Sequence, residues 1–347
     1  MELSKLQNKI LNAPSNKSVV IAAAAAGKTT LLTEKVRQIL RAGVNPKEVA
    51  VITFTNMAAT ELKQRLGDDY KDGLFIGTIH ALANYFLLSA GVSTGKVLGD
   101  EEFDKLFDMV ADNPQCIRHM EWILLDEAQD SDLLQFEFLF DMIAPDYFFV
   151  VGDPKQSIYQ WKGSRPQLMM NLARNTEVDM YDMNENYRNG SNILMFAKRL
   201  IRPTGLEDTS IPMRATNGEV HEVPYSLQSI LSYIADTPDF KNWAVLTRTN
   251  AEIATISSYL KKNGIPCDTF RQGDLKKSEL VTKLNQETVK VLTVHSAKGL
   301  EWNNVIVVGM RYTSKEERNV CYVAATRARD TLIWMTSAKK KNYNRNW

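Results

Sequence analysis

Short apolar runs alternate along this chain with stretches of helical periodicity, and that alternation constrains the fold more than any other feature. Residues 19–22, 49–53, 74–76, 122–125 and 148–151 each read as a strand buried on both faces. Between them lie helix-like stretches such as residues 30–42 and 58–66, where Leu62 and Leu66 recur at helical spacing. Buried strands separated by helices pair as parallel sheets. A second series follows the Pro- and Gly-containing residues 202–217. Strands are expected near 220–223, 244–246, 289–293, 305–308 and 331–335, with a helix over 251–262 that stops at Asn263 and Gly264. A chain of 347 residues with 44% hydrophobic content can give two such domains a core each. The expected class is therefore α/β, with tandem parallel-sheet domains over residues 1–183 and 184–347.

Charge narrows the choice of partners. Lys and Arg number 42 against 41 Asp and Glu, so no strong overall field draws the chain to nucleic acid, and any such contact must be local. Cys116, Cys267 and Cys321 are far apart, odd in number and without CxxC spacing, which suits a reducing compartment. The opening MELSKLQNKIL lacks the apolar core of a signal peptide, and no run reaches the ~18 apolar residues of a membrane span. These features predict a cytoplasmic protein without a membrane partner. The basic cluster Lys339, Lys340, Lys341 and Arg345 reads as solvated surface.

Two segments carry chemistry. The strand at 19–22 runs through an alanine-rich turn into Gly27-Lys28-Thr29-Thr30 and then an amphipathic helix. That is the context of a phosphate-binding loop, where backbone N–H groups and a helix N-terminus hold phosphate oxygens. Lys28 would reach the terminal phosphates and Thr29 would bind Mg²⁺, with Ala25, Ala26, Gly27 and Thr30 supplying backbone and first-turn contacts. Alone, the segment reads equally well as the start of an alanine-rich helix. The second segment decides between them: the apolar Trp122–Leu125 ends abruptly in Asp126-Glu127. Paired carboxylates at the carboxyl end of a parallel strand suit a metal ligand, Asp126, beside a water-activating group, Glu127. A helix N-terminus enriched in acids would account for Asp130 or Asp132, but not for two acids directly after a buried run.

From Gln7 to about Ala338 the sequence resembles the UvrD/Rep/PcrA-type superfamily 1 helicases. The segments that carry the resemblance are LSKLQ around Gln7, the phosphate loop, TFTNMAATELKQR from Thr53, GTIH from Gly77, DEAQD from Asp126 and VGDPKQSIYQWKG from Val151. They continue with NENYRNGSNIL from Asn184, AVLTRTN from Ala244, VHSAKGLEW from Val294 and YVAATRA from Tyr322. The resemblance implies two RecA-like P-loop domains with ATP and Mg²⁺ in the cleft between them, and movement along single-stranded DNA from 3′ to 5′. It implies that Gln7 reads adenine, Tyr187 stacks on it, Glu301 lies near the ribose and Gln156 senses the γ-phosphate. Arg188 and Arg327 would act as arginine fingers. On the DNA side it implies stacking by Phe54, Tyr159 and Trp161, with Thr53, Asn56, Thr78, His80, Lys162, His295 and Ser296 along the backbone path. It leaves room for a replication or repair protein as partner, and for a monomer or a DNA-induced oligomer.

Departures from the pattern matter too. The phosphate loop has one glycine where relatives have more, and alanine is disfavoured at positive φ, which bears on loop geometry and ATP affinity. Ala26 replaces the usual Ser or Thr, Met57 a usual Lys, and Lys162 a usual Arg. The stretches from His80 to Asp126 and from Arg188 to Thr293 hold no additional domain of ~50 or more residues beside the expected strands and helices. Little chain follows the last expected strand from which to build a strand-separating pin. A minimal motor that translocates better than it unwinds is therefore expected. The alternative is a slow nucleotide-gated DNA clamp or recruitment module.

Overall fold

The computed structural model describes residues 3–99, 102–235, 237, 239–270 and 277–336. The chain forms two compact units, Met1–Asn184 and Glu185–Trp347. In the first, strands β1 (Lys17–Ala22), β2 (Val49–Ile52), β3 (Phe75–Gly77), β4 (Trp122–Leu125), β5 (Tyr147–Gly152) and β6 (Asp179–Met183) form one sheet in the order β3-β2-β4-β5-β1-β6. Every pairing is parallel. Alternate residues of each strand point to opposite faces. Accordingly Val19, Ile52, Ile123 and Val150 join one apolar layer and Val20, Val51, Leu124 and Val151 the other. Burial on both faces is why β2 and β4 read as unbroken apolar runs.

Of the first four helices, three start at polar caps and one at a glycine. Helix α1 (Lys5–Leu11) begins with a reciprocal Ser4–Gln7 capping box, α2 (Lys28–Arg41) springs from Gly27, α3 (Asn56–Leu66) is capped by Thr55 and α4 (Ile79–Ser89) by Thr78. Between β3 and β4 the chain holds α4 and the shorter helices Gly95–Gly99 and Lys105–Asp112.

The second unit opens with β7 (Glu185–Asn186) and β8 (Ile211–Pro212), a small parallel pair flanking the helix Ser191–Ile201. Its main sheet uses β9 (Glu219–Pro224), β10 (Trp243–Thr247), β11 (Cys267–Asp268), β12 (Val289–Thr293), β13 (Trp302–Val307) and β14 (Ala328–Thr336) in the order β11-β12-β10-β13-β14-β9, all parallel. The helix Asn250–Lys262 carries a Thr249–Glu252 capping box and ends at Asn263 before Gly264, whose φ of 79° suits a helix stop. Strands β6, β7, β8 and β11 were not expected from sequence. The three cysteines are buried and free. No helix among the described residues is long and apolar enough to cross a membrane. The basic tail with Tyr343 and Trp347, where a substitute wedge could have formed, lies outside the described residues.

Candidate nucleotide and DNA sites

The phosphate loop follows the carboxyl end of β1. Gly27 adopts φ 86°, and a Cβ there would stand 2.7 Å from Gln7 Nε2, so both conformation and space call for glycine. Ala25 also sits in the left-handed region, at φ 58°. That conformation costs an L-residue roughly 1–2 kcal/mol. Gln7 is buried; its Nε2 donates to the Ala26 carbonyl at 3.2 Å and its Oε1 accepts from Ser4 N at 2.9 Å. The residue expected to read adenine thus also braces the loop, while each amide atom keeps a second hydrogen-bonding position. Thr29 and Thr30 stand half-buried in the first turn of α2.

The strain at Ala25 yields a prediction. Ala25→Gly relieves the left-handed cost but adds about 0.5–1 kcal/mol of unfolded-state entropy. A net stabilisation of about 0.5–1 kcal/mol is expected, or about 2 °C in Tm. Calorimetry of the variant checks this, and a lower Tm would mean that the loop carries no such strain.

Lys28 Nζ lies 2.9 Å from Glu127 Oε1. Burial works against the lysine's charge, but Glu127, Asp126 and Asp153 outweigh it and hold its pKa above the ordinary value. Beyond β4, Glu127 turns the chain at φ 51°, and its N–H donates to Asp126 Oδ1 at 2.9 Å. Gln129, fully buried, links this carboxylate to the end of β5: its Nε2 donates to Glu127 Oε2, and its Oε1 accepts from Asp153 N at 2.9 Å. Asp153 in turn accepts from Gln156 Nε2 at 2.9 Å and pairs with Lys155 Nζ at 3.0 Å. A polar chain therefore runs Lys28, Glu127, Gln129, Asp153, Gln156. Sequence reading missed Gln129 and Asp153 as its links, although both stand inside the motifs DEAQD and VGDPKQ.

The expected DNA residues of this unit gather nearby. Thr53, Phe54, Thr78, His80, Tyr159 and Lys162 line one cavity of about 260 Å³. The Phe54 and Tyr159 rings stack with centroids 5.1 Å apart, and Lys162 Nζ lies 5.0 Å from the Trp161 ring centre. Trp161 is 64% exposed, which excludes a core role. Thr53 is buried and donates to the Thr55 carbonyl, whereas Asn56 is exposed at the start of α3. Three carboxylates share the cavity, Asp104, Asp130 and Asp132, and sequence reading did not anticipate them. His80 Nε2 sits 2.9 Å from Asp104 Oδ1. Burial, with Asp104 close by, pushes the Asp132 carboxyl up despite the N–H bond from Gln135 and the proximity of His80.

In the second unit the arginines form their own cluster. Arg188 donates to Glu301 and to the Thr326 carbonyl, the latter at 3.1 Å, and Arg329 Nη1 reaches Glu301 at 3.2 Å. Burial raises the Glu301 pKa, but Arg188, Arg329 and Arg327 prevail and hold the carboxyl below its ordinary value. Arg327 is only 2% exposed, donating to the carbonyls of Val323 and Leu300. Arg329 is the member that sequence reading missed. Tyr187 is exposed, its hydroxyl donating to Glu185. Glu301 and Arg327 immediately precede β13 and β14, at the amino end of the parallel sheet; half-buried His295 and Ser296 follow β12 at the carboxyl end.

Residues 3–115 and 110–177 match the family model of the UvrD/REP helicase N-terminal domain, and residues 181–282 and 270–340 that of the UvrD-like helicase C-terminal domain. The chain belongs to the UvrD/Rep helicase family. Its two parallel-sheet units are the tandem RecA-like P-loop folds of UvrD helicases. Within that family it is similar to ATP-dependent DNA helicase Rep of Escherichia coli (strain K12), 24% identical over 369 residues that take in 77% of this chain and 55% of that protein. It is similar also to a probable DNA helicase of Mycoplasma pneumoniae, 22% identical over 469 residues, 99% of this chain and 84% of that protein. A third relative is Gabija protein GajB of Bacillus cereus (strain VD045), 24% identical over 462 residues, 93% of each. The chain spans about half the length of the Rep helicases it matches. Against the Mycoplasma protein the alignment is longer than the 347 residues of this chain, so that relative has segments opposite gaps here.

Proposed function

We propose that this chain is an ATP-driven motor that moves 3′ to 5′ along single-stranded DNA in the cytoplasm, with residues 1–183 and 184–347 as its two motor domains. The observation that carries the reading is the polar chain from Lys28 to Gln156, because it joins the nucleotide residues to the segment that bears Tyr159 and Trp161. A shift at the phosphates can thereby be felt where bases stack. ATP would bind with Gln7 and Tyr187 at the base, Glu301 near the ribose and Lys28 on the phosphates. Thr29 and Asp126 offer one hydroxyl and one carboxylate, which suits Mg²⁺, an ion that takes few protein ligands and completes its shell with phosphate and water. Bound there, the ion would neutralise charge on the phosphates. Glu127 would take the proton of the attacking water, and Gln156, Arg188 and Arg327 would answer the charge that develops on the γ-phosphate.

Thr53, Asn56, Thr78, His80, Lys162, His295 and Ser296 would hold the DNA backbone, and Phe54, Tyr159 and Trp161 the bases. Among the described residues the β3–β4 connection holds α4 and two shorter helices rather than an added domain, which favours translocation over duplex opening. ATP turnover with and without single-stranded DNA, followed by strand displacement on tailed duplexes, tests the reading. DNA-stimulated turnover with weak displacement is the expected result; nucleotide-dependent DNA binding with negligible turnover would indicate a clamp instead.

Two substitutions probe the DNA side. Trp161→Ala should weaken single-strand binding by about 1–3 kcal/mol, the worth of one stacked base, without lowering Tm, since the ring is exposed. A marked fall in Tm with unchanged affinity would reverse the assignment. Asp104→Asn removes a carboxylate from the phosphate path and releases His80, so single-strand affinity should rise about 2–10-fold at low salt and less at high salt. Fluorescence anisotropy at two ionic strengths checks this; unchanged affinity at both would place Asp104 off the path.

A further inference from the structure

At the end of the first sheet opposite the phosphate loop lies a cavity of about 460 Å³, large enough for a small molecule. Lys35 on α2 forms part of its wall and is only 6% exposed. Its ammonium has three donors, yet its hydrogen bond goes to one neutral acceptor, Gln38 Oε1 at 3.2 Å. The Trp122 and Phe149 rings, their centres 5.2 Å and 5.7 Å away, give it cation–π partners but no negative charge. Burial alone lowers the lysine's pKa, with no acidic side chain offsetting it. Placing a cation in such surroundings is costly unless a partner compensates it. The rest of the wall mixes apolar side chains, Leu11, Ile39, Trp122 and Tyr147 among them, with the amides of Asn12, Asn16 and Gln38 and one carboxylate, Glu121.

We propose that this cavity binds a small carboxylate carried on an apolar, ring-bearing body, its anionic end on Lys35 and its body against Trp122, Tyr147 and Ile39. Glu121 sets the orientation by keeping the anionic end on the Lys35 side. Trp122 and Tyr147 open strands β4 and β5, so the site lies at their amino ends, away from the ATP residues at the carboxyl ends. Ligand and nucleotide should therefore not compete.

The probe is 3-phenylpropionate, with the uncharged 3-phenylpropionamide beside it, titrated into the full chain by calorimetry with and without ATP. The carboxylate should bind saturably and at least ~10-fold more tightly than the amide, a difference of about 1.4 kcal/mol, at either ATP level. Lys35→Met keeps an unbranched side chain, one atom shorter, while removing the charge, and should erase the preference. A peptide ending in Phe, run as free acid and as amide, identifies the source: a preference larger than that of the small acid points to a polypeptide terminus, an equal or smaller one to a free acid. Equal binding of 3-phenylpropionate and its amide by the wild-type chain, no saturable binding of either, or a preference that survives Lys35→Met overturns the proposal. The wild-type comparison stands even if the variant misfolds.

Discussion

Glu127→Gln is expected to reduce ATP hydrolysis by at least ~10³-fold while ATP still binds. The amide has the shape of the carboxylate, and its one oxygen can still accept from Gln129, so the turn after β4 should survive. It cannot accept a proton from water. Asp126 and Asp153 remain to offset the charge of Lys28, which limits the cost of losing the ion pair. Glu127 pairs with the lysine that the phosphates need. Removing that competitor should leave ATP affinity equal or higher. Lys28→Ala should instead lose binding and hydrolysis together. Turnover assays and titration with a fluorescent ATP analogue separate the two variants, and near wild-type hydrolysis by Glu127→Gln would refute its role as the water-activating group.

Arg188→Ala should cut DNA-stimulated turnover by at least ~10²-fold with little change in Tm, because charge delivered to a transition state is worth several kcal/mol. Its loss leaves Glu301 paired with Arg329, so the local structure has a fallback. Arg327 differs. Buried and bonded to two backbone carbonyls, it cannot be removed without leaving polar groups unpaired. Arg327→Ala should therefore lose both turnover and thermal stability. Normal turnover by Arg188→Ala at unchanged Tm would reduce that arginine to a structural partner of Glu301.

How much of this could be read from sequence followed from burial. Strands β2, β4, β5 and β10 are covered on both faces and announce themselves as apolar runs. Strand β6, with the sequence Asp-Met-Tyr-Asp-Met, lies at a sheet edge and is mostly exposed, so nothing in its composition distinguishes it from a loop. Strands β7, β8 and β11 span two residues each, too few for any period. Helices α2 and α3 begin two residues before their expected starts, because a polar first turn carries no apolar signal. At the sites, motifs pointed to the groups but not to their partners. The contact of Asp104 with His80, and that of Arg329 with Glu301, join residues 24 and 28 positions apart across different elements, and no spacing rule links them.

The placement of candidate groups on the second sheet has a mechanical consequence. In the first unit the phosphate loop and the aromatic segment both follow carboxyl ends of strands. In the second, the arginine cluster and the pair His295 and Ser296 stand at opposite ends of one parallel sheet. Strands of that length measure roughly 15–20 Å, and such a sheet, hydrogen-bonded throughout and packed on its apolar layer, hardly compresses. It behaves as a pushrod. A displacement of the arginine end arrives at the other end undiminished, so the step of such a machine would be set by how far the whole body travels, not by bending within it.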